Sequence, residues 1–204
     1  LLFPGCDFDK VIVWYPTYRQ KHNGITVSQN AIPILNDPRK AEILNECAKQ
    51  NRVLLVLKPH FAQNTRYIKH LNLSNILFID DSFFTKHNIS SYGFVGSCDA
   101  LITDYSSIYF DYTLCDKPIA LIWEDYEEFK KSQGFIENAE SYVTGAERLY
   151  TLEELEAFVH DVAVDRDRLK DERARICNLV NHSTDGKNTA RVVDFIIQKA
   201  CLNV

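Results

Sequence analysis

Arg52 to Leu57 is an apolar run, Val-Leu-Leu-Val-Leu after the arginine, and it stops abruptly at Lys58-Pro59-His60. A strand with one wet face alternates polar and apolar residues. One that is apolar at every position must be covered on both faces, as central strands of parallel sheets are. Four other short apolar runs share this character: Val11 to Tyr15, Ile76 to Ile79, Ala100 to Ile102 and Ile119 to Trp123. Helical segments fall between and after them. Asp37-Pro38 opens one that runs to Gln50, with Asp as N-cap and Pro at the first position. Thr65 to Leu71 and Ile89 to Cys98 read as short helices. Thr151-x-x-Glu154 is a capping box that starts a helix reaching Val162. Arg166 to Leu179 and Thr189 to Cys201 complete the set, and Glu124 to Phe135 reads as an acidic, aromatic loop with a turn at Gly134. Strands alternating with helices at this spacing predict right-handed βαβ units. The expected fold is α/β, a Rossmann-like doubly wound parallel sheet forming a single domain over residues 1–204.

Composition narrows the function classes. The chain has 204 residues, 46% hydrophobic and 25% charged, enough for one good core. A net charge of −5 argues against a nucleic-acid partner. Six scattered cysteines without a C-x-x-C pair suggest neither a zinc site nor a disulfide framework, and reduced thiols are expected. There is no run of eighteen apolar residues and no signal-peptide pattern. The start Leu1-Leu2-Phe3-Pro4 and the lack of any methionine suggest a piece of something longer, with a partner domain elsewhere.

The chemistry gathers at strand ends. After Ala100 to Ile102 come Thr103-Asp104-Tyr105-Ser106-Ser107, then an amphipathic segment with Ile108, Tyr112 and Cys115 on one helical face. Two hydroxyls and a helix start aimed at one point suit an anion, phosphate above all. The plainer alternative is that Asp104 or Ser106 only caps the helix. In doubly wound sheets ligands bind outside the carboxyl ends of the strands. There, Thr17 and Arg19 follow the first strand and Lys58 and His60 the second, beside Asp104, Ser106 and Ser107. Each has a structural reading of its own: Arg19 on a solvated loop, Lys58 lying along apolar surface, His60 satisfied by a carbonyl. Together they favour an anionic, phosphate-bearing ligand. No G-x-x-x-x-G-K-[ST] or G-x-G-x-x-G loop is present, which disfavours P-loop and dinucleotide sites. Asp80-Asp81 reads as a solvated loop pair rather than a metal site, and neither metal nor cofactor is expected. His22, His70, His87, His160 and His182 take no role.

Tyr15-x-Thr17-x-Arg19, Lys58-Pro59-His60, Leu101-Ile102-Thr103-Asp104-Tyr105-Ser106-Ser107 with Phe110-Asp111-Tyr112, Lys117-Pro118, and Asp185-Gly186 followed by Arg191 occur in that order. This set resembles the CDP-glycerol glycerophosphotransferase family of teichoic-acid and capsular-polymer synthesis, from about residue 11 to 198. Two departures stand out: Phe61 where the family usually has proline, and Val143-Thr-Gly-Ala146 where it has Pro-Gly-Pro. The resemblance implies the C-terminal, donor-binding half of a GT-B-type transferase. In such an enzyme an acceptor hydroxyl attacks the β-phosphorus of CDP-glycerol and CMP leaves.

On that resemblance Arg19, Ser106 and Ser107 hold the pyrophosphate, with Lys58 on the same phosphates. His60 donates to a phosphate oxygen or assists the leaving group, Thr17 adds a hydroxyl, and Asp104 orients the serine loop. The catalytic pair is then His60 and Arg19. The acceptor, lipid-linked or polymeric, would be met by the missing domain, so the isolated chain is expected to bind donor and transfer little. The full enzyme is expected in the cytoplasm, peripheral to the inner face of the membrane. Glu124 to Phe135 would contact the variable part of the donor. Two alternatives stay open: another nucleotide-activated sugar or polyol phosphate as donor, and a non-catalytic nucleotide-binding or scaffolding domain.

Overall fold

A computed structural model describes residues 3, 7–17, 31–60, 63–132, 134 and 138–201. Six parallel strands form one sheet: β1 (Lys10–Trp14), β2 (Val53–Leu57), β3 (Ile76–Phe78), β4 (Ala100–Thr103), β5 (Ile119–Ile122) and β6 (Glu147–Leu149). Their order across the sheet is β3-β2-β1-β4-β5-β6, and every neighbouring pair is parallel. The chain therefore winds outward from β1 through β3, returns, and winds the other way from β4. The reversal lies between β1 and β4, where Val13 pairs with Leu101 and Trp14 with Ile102. Loops diverge at such a point and open a crevice. The expected doubly wound α/β sheet is present.

The helices are α1 (Pro38–Gln50), α2 (Arg66–Lys69), α3 (Asp81–His87), α4 (Ser91–Ser97), α5 (Ile108–Tyr112), α6 (Tyr126–Ser132), α7 (Leu152–Ala163), α8 (Lys170–Val180) and α9 (Asn188–Cys201). Side-chain alternation along the central strands divides the core in two. Ile12, Trp14, Leu55, Leu57 and Ile102 pack with Ala41 and Leu44 of α1 and Phe158 and Val159 of α7. On the other face, Val13, Leu54, Val56 and Leu101 pack with Phe84 of α3, Phe94 of α4, Tyr109 and Tyr112 of α5, and Ile176 of α8. All five residues of β2 are buried, as its unbroken apolar run requires. Asp37 caps α1 by accepting from the Arg39 N–H, with Pro38 at the first position. Thr151 and Glu154 form the complete capping box of α7.

Four local readings need correction. Asp80-Asp81 is not a loop pair: Asp80 caps α3 by accepting from the backbone N–H and hydroxyl of Ser82, and Asp81 is the first helical residue. The acidic stretch after β5 folds into α6 rather than a loop. Glu147–Leu149 adds a sixth strand at the sheet edge. After Tyr112 the chain tightens into a 3₁₀ turn, Thr113–Cys115, so the serine-led helix buries Tyr109 and Tyr112, while Ile108 and Cys115 are half-buried. Among the described residues no helix is long and apolar enough to cross a membrane.

Candidate functional site

The rim above the reversal point is built from the loops that leave β1, β2 and β4. The first and third are stitched together. Tyr15 N–H donates to the Ile102 carbonyl at 2.9 Å, and the Thr103 hydroxyl donates to the Tyr15 carbonyl at 2.8 Å. Asp104, only 3% exposed, completes the seam. Its carboxylate accepts the Thr17 N–H at 3.0 and 2.9 Å, the Tyr105 N–H at 2.7 Å, and the Thr17 hydroxyl at short range. A buried carboxylate needs such donors, because burial without them costs far more than one hydrogen bond returns. Asp104 therefore fixes both loops. The Thr17 hydroxyl, donating to Asp104, is committed to this seam.

Beyond Asp104 the backbone turns into α5 with Ser107 at the N-cap. Ser107 is exposed and its hydroxyl makes no capping bond to the helix. The Ser106 hydroxyl accepts from the Ile108 N–H at 3.4 Å, a long contact. The capping explanation thus accounts poorly for the serine pair. On β2's loop, Lys58 Nζ lies 2.9 Å from the Asp81 carboxylate and 5.6 Å from the centre of the Tyr15 ring. The Asp81 side chain is 89% exposed and that of Lys58 20%, so the pair has one solvated partner and is weak. His60 is exposed, and its backbone N–H donates to Gln63 Oε1 at 2.8 Å. Arg19 lies outside the described residues. The structure thus brings Thr17, Lys58, His60, Asp104, Ser106 and Ser107 to one rim.

Sequence reasoning placed an acidic, aromatic segment, Glu124 to Phe135, near the donor, but missed the wall that Tyr105, Trp123 and Arg148 build with it beside the serines. Tyr105 donates its hydroxyl to Asp125 at 2.9 Å and packs on Phe129, with ring centres 4.1 Å apart. Trp123 and Tyr126 stack at 4.7 Å and 11°. Arg148 lies over Trp123, 5.0 Å from its ring centre. This stack is shared by two cavities. One, of about 340 Å³, adjoins Ser106 and Ser107 and is lined mainly by Tyr105, Tyr109, Phe110, Phe129 and Val143. The other, of about 660 Å³, lies over the ends of β5 and β6 and is lined by carboxylates, Arg148 and aromatic rings together. Trp123 and Tyr105, aromatic residues at the carboxyl ends of β5 and β4, were the signal available in the sequence.

Electrostatics exclude some chemistry. Burial pushes the Tyr15 and Tyr109 hydroxyls up to about 12, so both stay neutral. It likewise lifts the Cys98 thiol to about 12, which removes it as a nucleophile. Among the described residues no group of three or more His, Cys, Asp or Glu is arranged to hold a metal ion.

Residues 5–198 match the family profile for CDP-Glycerol:Poly(glycerophosphate) glycerophosphotransferase. The teichoic acid ribitol-phosphate primase of Bacillus spizizenii is 28% identical over 198 residues, which is 95% of this chain and 45% of the primase. The wall teichoic acid polymerase TagF shares the fold with a TM-score of 0.64 and 21% identity, covering 100% of this chain and 46% of TagF. The calicheamicin glycosyltransferase CalG4 shares it with a TM-score of 0.57 and 11% identity, covering 96% of this chain and 43% of CalG4. The chain thus spans about half the length of these relatives.

Proposed function

Because the chain belongs to the CDP-Glycerol:Poly(glycerophosphate) glycerophosphotransferase family, we propose that it is the donor-binding half of a transferase moving a polyol phosphate from a CDP-activated donor to an acceptor hydroxyl. The observation that carries this reading is the serine pair. Two hydroxyls whose protons capping does not use stand at the reversal point of the sheet, on a loop anchored by buried Asp104, with Lys58 and His60 on the same rim. Asp104 itself, committed to Thr17 and Tyr105, is positioned as an organiser and not as a phosphate ligand.

In this reading Ser106 and Ser107 donate to non-bridging oxygens of the pyrophosphate. Lys58 leaves Asp81 to pair with the phosphates, Arg19 joins it, and His60 donates to the oxygen on which charge develops. The acceptor hydroxyl attacks the β-phosphorus. The new O–P bond forms as the bond to the bridging oxygen breaks, CMP departs with that oxygen, and the acceptor's proton passes to a base in the remainder of the longer protein. Such transfer depends on positioning and charge stabilisation rather than covalent chemistry by the protein. The acceptor, lipid-linked or polymeric, is met by that remainder, and the whole enzyme works at the inner membrane face. Residues 1–204 act as one donor-binding domain.

The family profile names glycerol and the Bacillus spizizenii relative ribitol, so the polyol is the open variable. Calorimetric titration with CMP and CDP-glycerol tests the reading. Replacing Ser106 and Ser107 together by alanine is expected to weaken both ligands roughly tenfold or more, as loss of hydrogen bonds to a charged group implies. Unchanged affinity in the double variant would remove the serine pair from the site, and no binding of either ligand by the wild-type chain would favour a domain that scaffolds rather than binds donor.

A further inference from the structure

The acidic cavity over the ends of β5 and β6 is lined, among the described residues, by neither the serine pair nor Lys58 or His60, yet it opens on the same rim. We propose that it holds the uncharged, hydroxyl-bearing part of the donor, with Glu127 and Glu128 accepting hydrogen bonds from those hydroxyls. This rests on the donor-binding reading above.

Placement comes first. The strand order sets β5 beside β4 and β6 beyond it, so the cavity begins about 5 Å across the sheet from the serine loop and extends to about 10 Å. One of the two groups bonded to a pyrophosphate held at Ser106 and Ser107, the nucleoside or the polyol, meets it next, and the CDP arm of the test below separates the two.

Charge then decides what enters. Among the described residues, Glu124, Asp125, Glu127, Glu128 and Glu140 line the cavity with Arg148 as the one lining cation. A phosphate is repelled there, which turns the donor so that its phosphates stay on the serine side. A cation is disfavoured for a different reason: three of the carboxylates already serve the protein's own donors. Glu124 accepts the Ile34 N–H at 2.5 Å, Asp125 accepts the Tyr105 hydroxyl at 2.9 Å, and Glu140 accepts the Tyr126 hydroxyl and Lys130 Nζ. The five do not converge as a metal shell would.

What remains suits a polyol. Glu127 and Glu128 stand on the first turn of α6, exposed and half-buried respectively. The Trp123–Tyr126 stack and Tyr150 supply apolar faces for C–H groups. The neighbouring cavity beside the serines offers mostly aromatic surface, where a hydroxyl would lose water and find little in return. A volume of about 660 Å³ leaves room for polyols longer than glycerol.

The test is calorimetric titration of the chain with CDP, CDP-glycerol and CDP-ribitol, repeated on the Glu127→Gln/Glu128→Gln double variant. The wild-type chain is expected to bind at least one CDP-polyol about tenfold more tightly than CDP, and the variant to lose that advantage. CDP itself should bind the variant as well as or better than wild type, since two repelling charges are gone; this also shows that the variant is folded. The polyol with the larger advantage identifies the donor. If CDP binds but no CDP-polyol binds more tightly, or the variant keeps the advantage, the inference fails and the donor reading stands. If the wild-type chain binds none of the three, the donor reading fails with it.

Discussion

Asp104 shows how one buried carboxylate can organise a site without touching its ligand. Both of its oxygens lie within hydrogen-bond range of the Thr17 N–H, and Oδ1 also accepts from the Thr17 hydroxyl and the Tyr105 N–H. Asn at this position keeps the shape but turns an N–H₂ toward an N–H donor. Asp104→Asn is therefore expected to destabilise the fold by about 1–3 kcal/mol and to weaken nucleotide binding, as read by denaturant titration and calorimetry. Glu172 is a second case, on the opposite kind of surface. Hydrogen bonds from Arg175 and Thr144 hold its carboxyl down at about 2, against the usual 4.5. A depressed carboxyl contributes stability that is present above its unfolded value and is lost as pH falls toward the folded one. The tie from α8 to Thr144 should thus weaken only between about pH 4.5 and 2. In Arg175→Ala the Glu172 titration, followed by carbon NMR, should move up toward the ordinary range. A Glu172 midpoint unmoved by that change would contradict the assignment.

At the scale of elements, the close approach of α8 to the loop before β6 depends on Gly145. A Cβ there would lie 2.7 Å from the Arg173 Cα, a backbone atom that cannot swing aside. Arg173 is itself 1% exposed and fixed by Asp167. Gly145→Ala should cost about 1–3 kcal/mol in thermal or denaturant unfolding, as overpacking does. The neighbours of that glycine were not legible in the sequence, because α8 reaches it from nearly thirty residues away. Legibility elsewhere followed local physics. β2 was readable from its doubly covered run, and α1 and α7 from Asp37-Pro38 and the Thr151–Glu154 box. By contrast, α3 hides behind two aspartates, of which one caps and one is helical. In α6 Tyr126 is buried but Glu127 and Lys130 are exposed, too little periodicity to separate helix from loop. β6 is three residues long with Leu149 alone buried.

Across the whole molecule, the doubly wound sheet is what the sequence foretold best, and with it which polar residues follow the strand ends. Polar residues that interrupt apolar runs mark strand ends, and the sheet order carries those ends to one side. What the sequence could not show is how Thr17 and Asp104, eighty-seven positions apart, lock the rim together. The aromatic wall escaped for the same reason, since Trp123, Tyr126 and Arg148 meet only after β5 and β6 pair. At the other extreme stands α9, whose residues 188–200 are all exposed, with Phe195 at 59%. It adds little to the core, so a chain ending at Lys187 should keep its thermal midpoint within a few degrees. A large drop would mean that the helix supports the fold in a way its exposure does not suggest.

The central claim is that the serine pair at the β1–β4 reversal binds a nucleotide-linked phosphate. It is tested most directly by titrating CMP and CDP-glycerol into the wild-type chain and into the Ser106→Ala/Ser107→Ala variant. The account predicts binding by the former and a loss of roughly tenfold or more in the latter, with the thermal midpoint nearly unchanged. Equal affinity in a folded variant, or no binding of either nucleotide by the wild-type chain, would contradict it.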